Sequence, residues 1–215
     1  KSEIFCASLL PTYSQDSTNE KTHALAKGAR AKGAVIKENT PVTEILIEGG
    51  YMAGVRTAAV DIACEKLVLC CGQWTRELAQ TIGVTVPLIS VEHQYMLTEA
   101  FGVPTDLPTL RDPDRLTYYK EEVGGLIMGG YEPNGIPWAK DGIPEFFDFQ
   151  LLESNFDHFE QLIEMALPRV PKLESVGVKQ LINGPESFTP DGNFILGEAP
   201  EMANVFIGAG FNAFG

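Results

Sequence analysis

The sequence predicts a mixed α/β fold, of the α+β or α/β class, in which a second domain interrupts a layered one. Three observations support this prediction. Predicted strands dominate the middle of the chain, one long amphipathic helix follows them, and helix and strand segments occupy both ends. We therefore expect residues 1–87 and 185–215 to form one αβ layer. Residues 88–184 are expected to form an inserted mixed β-sheet domain covered by the long helix.

The first predicted elements are a helix and a strand. Residues 21–32 are rich in Ala, Lys and Arg, which favour helices, and Gly33 stands where a helix C-cap is expected. Three small residues share one face of that helix: Ala24, Gly28 and Ala31. We expect this small face to pack closely against a sheet. A strand is predicted to begin at Val35 and Ile36.

An antiparallel meander is predicted next. Its strands are residues 42–47, 52–57 and 62–70. A tight turn at Gly49 and Gly50 joins the first two strands. The continuous apolar run at residues 67–71 is typical of a strand buried on both faces. A short helix then begins at Gly72.

The central part of the chain combines strands with the long helix. Its predicted strands are residues 88–98, 116–120, 125–131 and 176–183. The helix is predicted over residues 149–167, because five apolar side chains recur at helical spacing and Pro168 ends the pattern. These five are Leu152, Phe156, Phe159, Ile163 and Ala166. Two short buried strands, residues 193–196 and 205–208, complete the αβ layer.

Composition and charge restrict the classes of partner. The 215 residues contain 29 Asp and Glu against 16 Lys and Arg, a net charge of −13, which disfavours nucleic acid and anionic membranes as partners. No apolar stretch approaches the roughly 18 residues that span a bilayer. Four irregularly spaced cysteines and three histidines predict neither a disulfide framework nor a metal site, and they indicate a reducing compartment. The chain begins with Lys1 and closes on a glycine-rich turn, so we interpret it as an excerpt of a longer protein.

Two predicted strands carry the first candidates for chemistry. His93 and Tyr95 are two residues apart on one strand and therefore point to the same face, where an imidazole and a phenol can move protons or orient a polar substrate. Tyr118 and Tyr119 follow on another strand. A histidine on a half-buried strand is also common as a packing residue, and adjacent tyrosines often pack on opposite sides of a sheet. Both interpretations stay open on these residues alone.

A glycine-containing loop, Gly208-Ala209-Gly210-Phe211-Asn212, follows the last predicted strand. Glycines directly after a buried strand let the backbone approach a planar or phosphorylated ligand closely, although plain turns use them as well. The sequence contains no GxGxxG, P-loop, HExxH or GxSxG motif, so a hydrolase would lack an evident nucleophile.

Several segments of the chain together form a known pattern. They include Cys71-Gly72-Gln73-Trp74-Thr75-Arg76-Glu77-Leu78, Val91-Glu92-His93-Gln94-Tyr95, Leu110-Arg111-Asp112, Gly129-Gly130-Tyr131-Glu132, Gly184-Pro185-Glu186-Ser187-Phe188-Thr189-Pro190-Asp191-Gly192 and Gly208-Ala209-Gly210-Phe211-Asn212. This pattern resembles the sarcosine and dimethylglycine dehydrogenase family, which are FAD-dependent amine oxidoreductases of the glycine oxidase/D-amino-acid oxidase type. The resemblance spans nearly the whole chain in register.

The resemblance implies a FAD-binding domain, interrupted in sequence, with an inserted substrate domain whose sheet lies over the flavin. The residues that it places at the FAD cofactor are Val42, Cys71, Gly72, Trp74, Gly210, Phe211 and Asn212. It implies that His93 and Tyr118 face the substrate as catalytic residues. Tyr95 and Arg111 are the implied substrate-binding residues.

The implied reaction is oxidation of a small secondary or tertiary amino acid. A hydride would pass from the carbon beside nitrogen to flavin N5, leaving an iminium that hydrolyses to an aldehyde and the demethylated amine. Neutral His93 would accept the amine proton, and Tyr118 would hold the substrate by a hydrogen bond. Arg111 or Arg115 would meet a carboxylate, although a salt bridge at the surface is an equally open role for each of them.

The chain departs from the family pattern at both ends. The GxGxxG motif of the FAD pyrophosphate site, the elements expected after Gly215 and the C-terminal folate-binding region are not in the sequence. We therefore expect a partial FAD-binding domain that does not hold FAD alone and needs the missing parts of its own chain. Exposed apolar surface would then favour a homo-oligomer. The expected compartment is the bacterial cytoplasm or the mitochondrial matrix.

Two alternatives stay open. A non-catalytic relative, the regulatory subunit of a mitochondrial phosphatase, has the same layout, although a purely regulatory protein has no need of both His93 and Tyr118. The chain could also be a cofactor-free binding module in which these side chains only pack.

Overall fold

The computed structural model describes residues 6–9 and 18–213, and it confirms the predicted mixed α/β class. The α-helices are α1 (Thr18–Ala31), α2 (Thr75–Gln80) and α3 (Phe156–Ala166). The strands are β1 (Val42–Glu48), β2 (Tyr51–Thr57), β3 (Asp61–Ala63), β4 (Leu67–Leu69), β5 (Ile89–Thr98), β6 (Leu110–Asp112), β7 (Thr117–Glu122), β8 (Gly125–Gly130), β9 (Pro137–Trp138), β10 (Val178–Phe188), β11 (Ile195–Glu198) and β12 (Val205–Ala209). In the described part of the chain, every helix is too short or too polar to cross a membrane.

The largest sheet, which we call the central sheet, has the strand order β10–β5–β8–β7–β6, and all its neighbouring strands are antiparallel. Strand β9 pairs with the first part of β5, at Ser90 and Val91, whereas β8 pairs with β5 from Tyr95 to Leu97. On its other side, β5 pairs along its whole length with β10. The three strands predicted within residues 88–131 are confirmed.

Two three-stranded sheets make up the rest of the described strands. β1, β2 and β3 form the predicted antiparallel meander, and the order β11–β12–β4 combines an antiparallel pair with the parallel pair β12 and β4. The prediction of one strand over residues 62–70 is therefore wrong. The chain leaves the meander at Cys64, whose N–H donates to Ala53 O at 3.1 Å, and Glu65 and Lys66 lead it to the other sheet.

Buried apolar side chains form two separate clusters. The first cluster joins the two smaller sheets and consists of Ile45, Met52, Leu69, Ala79, Val84, Val86, Leu88, Ala199, Val205, Ile207 and Ala209. The second cluster fills the space between the central sheet and α3 and consists of Met96, Tyr119, Leu126, Met128, Phe159, Leu162, Ala166, Leu173 and Leu181. One face of the central sheet therefore packs in the second cluster, and the opposite face does not contribute to it.

Helix α3 covers the central sheet as predicted, but it begins at Phe156 instead of at residue 149. Asn155 caps the helix, because its Oδ1 accepts a hydrogen bond from the His158 N–H at 3.0 Å. The buried face of the helix is formed by Phe159, Leu162 and Ala166. Phe156, at the first turn, stays 59% exposed.

The segment before α3 is extended because it is bonded to the central sheet. Leu152 N–H donates to Asn183 O of β10 at 2.9 Å, so the predicted place of Leu152 on the buried helix face is wrong. The Gln94 side chain accepts from Asn155 N–H at 2.9 Å and donates to Asn155 O at 3.2 Å. These bonds hold the backbone away from helical geometry until Asn155 is reached.

The helix–strand layer near the start of the chain is less buried than predicted. Helix α1 forms where expected, but its small face is exposed. Val35 and Ile36, which are 82% and 39% exposed, form no strand within residues 18–213. A strand needs a neighbour for its backbone hydrogen bonds, and no described strand runs beside these two residues. Val68 on β4 is 59% exposed, so the run at residues 67–71 is not buried on both faces.

Candidate functional site

One face of the central sheet carries all four residues predicted to meet a substrate. Tyr95 of β5 lies opposite Gly129 of β8, which in turn lies opposite Tyr118 of β7. Arg111 of β6 lies opposite Tyr118. Opposite residues of neighbouring strands point to the same side, and so does His93, two residues before Tyr95. We call this side the tyrosine face, and it is the side turned away from α3.

The Tyr118 ring lies over the backbone of β8 at Gly129, where no side chain is in the way. A Cβ atom at position 129 would lie 2.5 Å from the Tyr118 Oη, closer than two such atoms can pack. Burial is the main cause that raises the pKa of Tyr118 to about 12, and the negative charge of Glu132 adds to it. The phenol therefore stays protonated at neutral pH and can donate a hydrogen bond.

His93 is paired with a carboxylate that the sequence did not single out. Its Nδ1 lies 3.1 Å from Oε2 of Glu132, and the Glu132 side chain is only 3% exposed. The other carboxylate oxygen of Glu132, Oε1, accepts the Gln94 N–H at 3.3 Å. Both oxygens are thus in use, one at the imidazole and one at the backbone of β5.

Aromatic rings enclose the imidazole on two further sides. The His93 ring lies 5.6 Å from the Tyr131 ring and 6.3 Å, edge to face, from the Phe188 ring. The Arg111 guanidinium lies 5.7 Å from the Tyr131 ring centroid, within the range of a cation–π contact. A cationic group and a titratable imidazole therefore flank one tyrosine on the same side of the sheet.

A cleft of about 490 Å³, which we call the strand-end cleft, opens where the parallel strands β4 and β12 end. Ligands of open α/β sheets bind at the carboxyl ends of parallel strands. Its lining consists of Cys70, Gly72, Gln73, Trp74, Pro185, Glu186, Ser187, Gly208, Ala209, Gly210 and Phe211. Four of the predicted cofactor residues thus share one cleft, namely Gly72, Trp74, Gly210 and Phe211.

The three other predicted cofactor residues lie outside that lining. Cys71 follows Cys70 in the turn, and burial raises the pKa of its thiol. Asn212 Oδ1 accepts the Thr189 N–H at 2.9 Å, and its Nδ2 donates to Gly210 O, so this side chain ties the loop to the turn after β10. Val42 lies at the start of β1 in the meander. Their roles at a cofactor stay predictions.

Strand β10 connects the tyrosine face with the strand-end cleft. Gly184 lies opposite His93, and Glu186, two residues later, lines the cleft. Burial raises the pKa of Glu186, while His93 and a hydrogen bond from the Ala213 N–H oppose that rise. One carboxyl group therefore lies between the imidazole and the loop at residues 210–213.

Sequence reasoning missed four residues of this arrangement: Tyr131, Glu132, Glu186 and Phe188. Alternation along the predicted strand 125–131 could have found Tyr131, because it is two residues beyond Gly129 and so points to the same face. Glu186 and Phe188 required β10 to continue to residue 188, which the Pro185 in the sequence argued against. Glu132 lies beyond the end of β8, where alternation no longer fixes the direction of a side chain.

Comparison with known proteins gives these features a context. Residues 10–215 match the family model DAO, FAD dependent oxidoreductase. The chain is 40% identical over 210 residues to 4-methylaminobutanoate oxidase (formaldehyde-forming) of Paenarthrobacter nicotinovorans. The match covers 97% of the chain and 25% of that protein. It is 40% identical over 196 residues to mitochondrial sarcosine dehydrogenase of Homo sapiens, with 89% of the chain and 21% of that protein covered.

The chain is also 36% identical over 217 residues to the mitochondrial pyruvate dehydrogenase phosphatase regulatory subunit of Mus musculus, covering 99% of the chain and 25% of that protein. It thus spans a quarter or less of the length of these relatives. Among solved structures, L-proline dehydrogenase from P. horikoshii superposes with a TM-score of 0.73 at 23% identity, over 90% of this chain and 50% of that one. At this identity the superposition shows a shared fold.

Proposed function

Because the chain belongs to the DAO family of FAD-dependent oxidoreductases, we propose that its tyrosine face binds a small N-methyl amino acid for oxidation at the C–N bond. The observation that carries the proposal is the placement of His93, Tyr118 and Arg111 on one face of the central sheet. A proton acceptor, a neutral hydrogen-bond donor and a cation are the groups that such a substrate requires. The relatives named for 4-methylaminobutanoate and sarcosine support the substrate class.

The strand-end cleft fits part of a FAD molecule. Gly72 has a φ of +55°, and nothing lies within 4 Å of a Cβ atom built there, so a ligand can approach this backbone closely. Trp74 and Phe211, 43% and 38% exposed, leave aromatic surface beside the glycines. We propose that these three residues, with Gly210, hold the cofactor in the intact protein. When bound, FAD supplies the acceptor for the hydride that leaves the substrate carbon.

His93 is proposed to remove the proton of the substrate ammonium. A lone pair on nitrogen is needed to form the iminium, so the amine must be neutral before hydride leaves the neighbouring carbon. The His93 side chain is 14% exposed, so an amine can reach the imidazole while most of the ring is shielded from bulk water. Hydrolysis of the resulting iminium would give formaldehyde and the demethylated amino acid.

Tyr118 and Arg111 are proposed to orient the substrate, with Tyr95 beside them. The raised pKa of Tyr118 keeps its hydroxyl protonated, so it can donate a hydrogen bond to the substrate carboxylate or to the nitrogen of the neutral amine. The guanidinium of Arg111, which lies near the Tyr131 ring on this face, is proposed to meet the substrate carboxylate. Together they would hold the N-methyl group toward the strand-end cleft.

The domain division is also part of the proposal. We propose that residues 88–184 are the substrate-binding unit and that residues 1–87 and 185–215 contribute to the FAD-binding unit. The separation of the two core clusters supports this division. β10 crosses the second boundary and so belongs to both units. Bacterial cytoplasm or mitochondrial matrix is the proposed compartment, since the relatives include bacterial and mitochondrial proteins.

The test measures anaerobic reduction of the flavin in the intact protein. Flavin absorbance is monitored after the protein is mixed with sarcosine, dimethylglycine or 4-methylaminobutanoate. His93→Gln should slow the reduction by about 10²-fold, as expected for a positioned proton acceptor. His158→Gln is the matched control, because His158 lies on α3 across the sheet, and its rate should equal that of the wild type. Wild-type reduction rates in His93→Gln would disprove the assigned role.

A second candidate function is a non-catalytic regulatory subunit. It is favoured by the likeness to the phosphatase regulatory subunit, which extends over 99% of the chain. An intact protein that shows flavin absorbance but is not reduced by any of the three amines would support this candidate. An intact protein without flavin absorbance would instead support a cofactor-free binding module.

A further inference from the structure

We infer that Glu132 is the positioning residue of His93: it fixes the imidazole as the Nδ1–H tautomer and so leaves Nε2 as the proton acceptor. The inference rests on the proposed function for its catalytic meaning, but the tautomer itself follows from contacts within the chain. Glu132 does not lie on a strand of the central sheet, and its carboxylate reaches back to β5 from the loop that follows β8.

The pairing of β5 explains why a carboxylate is needed at this place. Along one edge, β5 pairs with β9 at Ser90 and Val91 and with β8 from Tyr95 onward, which leaves an interval without a strand partner. Inside that interval the Gln94 N–H donates to Glu132 Oε1 at 3.3 Å. The carboxylate thus replaces the missing strand acceptor and is anchored there.

The anchored carboxylate has a second oxygen, and that oxygen faces the imidazole. Oε2 lies 3.1 Å from His93 Nδ1. An ionised carboxylate only accepts hydrogen bonds, so Nδ1 must carry the proton, and the proton-free nitrogen of the neutral ring is Nε2. The Tyr131 and Phe188 rings pack against the imidazole and oppose a flip that would exchange the two nitrogens.

Two other charged groups lie near His93. Glu186 approaches from β10, but among residues 6–9 and 18–213 its carboxyl group is hydrogen-bonded to backbone N–H groups and not to a ring nitrogen of His93. Arg111, from β6, lies over the Tyr131 ring. Glu132 is therefore the carboxylate bonded to a ring nitrogen of His93 among the described residues.

The substitution Glu132→Gln gives a specific prediction because an amide has one acceptor oxygen instead of two. If that oxygen keeps the Gln94 N–H, the amide NH₂ faces His93 Nδ1 and donates to it. The imidazole then moves its proton to Nε2, which removes the acceptor from the side of the substrate. A comparable tautomer error is known to slow catalytic histidines that lose a partner carboxylate to an amide.

The decisive measurement is the ¹H–¹⁵N long-range NMR spectrum of ¹⁵N-histidine-labelled intact protein, with the His93 signals assigned by their loss in His93→Gln. The wild type should show a proton on Nδ1, and Glu132→Gln should show it on Nε2. Glu132→Asp, which keeps the charge, should retain the Nδ1 proton and provides the second variant if the amide disturbs folding. A wild-type proton on Nε2, or an unchanged tautomer in Glu132→Gln, would overturn the inference.

Kinetics add a readout that a purely structural role would not move. Glu132→Gln should slow flavin reduction by about 10- to 100-fold, and the rising limb of its pH–rate profile should shift to lower pH, because the negative charge beside the imidazole is gone. Glu122→Gln, at a half-buried carboxylate of β7 paired with Lys120, is the matched control and should leave the reduction rate and the pH–rate profile unchanged. Should the wild type show no reduction by any amine, the proposed function fails, and the NMR spectra still decide the role of Glu132.

Discussion

Two helices of similar length meet very different surroundings in this molecule. Helix α3 places Phe159, Leu162 and Ala166 against the central sheet, and all three are at most 2% exposed. Helix α1 leaves its small face open, and Leu25 on it is 71% exposed. Helix α3 is therefore packed against the sheet, whereas α1 buries little of its surface against the described residues 6–9 and 18–213.

The largest expected difference between the two regions is in stability. Leu162→Ala should lower the free energy of unfolding by about 2–5 kcal/mol, because it opens a cavity in the second cluster. Leu25→Ala on α1 should change it by less than about 0.5 kcal/mol. Urea unfolding of both variants measures the contrast, and equal losses would mean that α1 is buried by another part of the protein or by a second copy.

A smaller effect is expected within the tyrosine face itself. Gly129→Ala should destabilise the protein by about 1–3 kcal/mol, since the new methyl group would displace the Tyr118 ring. Gly184→Ala, opposite His93 on β10, is the control. The nearest atom to a Cβ at position 184 would be Leu151 Cδ2 at 3.8 Å, which is an ordinary contact distance. Thermal unfolding that ranks the two variants equally would contradict the close contact at Tyr118.

The burial of Tyr118 predicts a pH dependence at the alkaline end. Its pKa is raised from 10.0 to about 12, so the folded state favours the neutral phenol. The stability that this contributes is present in full below about pH 10 and is lost as the pH rises toward 12. Between these values the free energy of unfolding should fall more steeply in the wild type than in Tyr118→Phe. Parallel curves from urea unfolding would show that Tyr118 is accessible to water.

A small effect is expected at Val68 on β4, where adjacent residues face opposite environments. Val68→Asp should change the unfolding free energy of the 215-residue chain by no more than about 1 kcal/mol, the range of strand propensities, because Val68 is 59% exposed. Leu69→Ala, at a residue 3% exposed in the first cluster, should cost about 2–4 kcal/mol. A large loss in Val68→Asp would reveal a cover over this face of the sheet.

The sequence predicted the structure most accurately where a short-range periodicity of apolar residues determines it. Alternation placed His93 and Tyr95 on one face, and helical spacing found the helix that covers the sheet. It failed at Leu152, because the bonds of Asn155 to Gln94 on a distant strand delay the start of α3. The strand predicted at Val35 needs a neighbouring strand, which is a property of the surroundings and not of the two residues.

The candidate site divides in the same way. Tyr118 could be predicted from its strand and the family pattern, but its closeness to Gly129 depends on the register between β7 and β8. The contact between His93 and Glu132 joins residues 39 positions apart through a loop, and no local period encodes it. Residues held by long-range contacts are therefore the ones that required the structure.

Gly129 and its neighbour Gly130 make β8 very thin between its two sides. A methyl group on Gly129 would collide with Tyr118, and one on Gly130 would come within 2.8 Å of Leu162 Cδ2 on α3. Only main-chain atoms separate the hydrophobic interior from the candidate chemistry at this point. Any side chain larger than hydrogen at these two adjacent positions would therefore disturb the phenol on one side of the strand or the packing of α3 on the other.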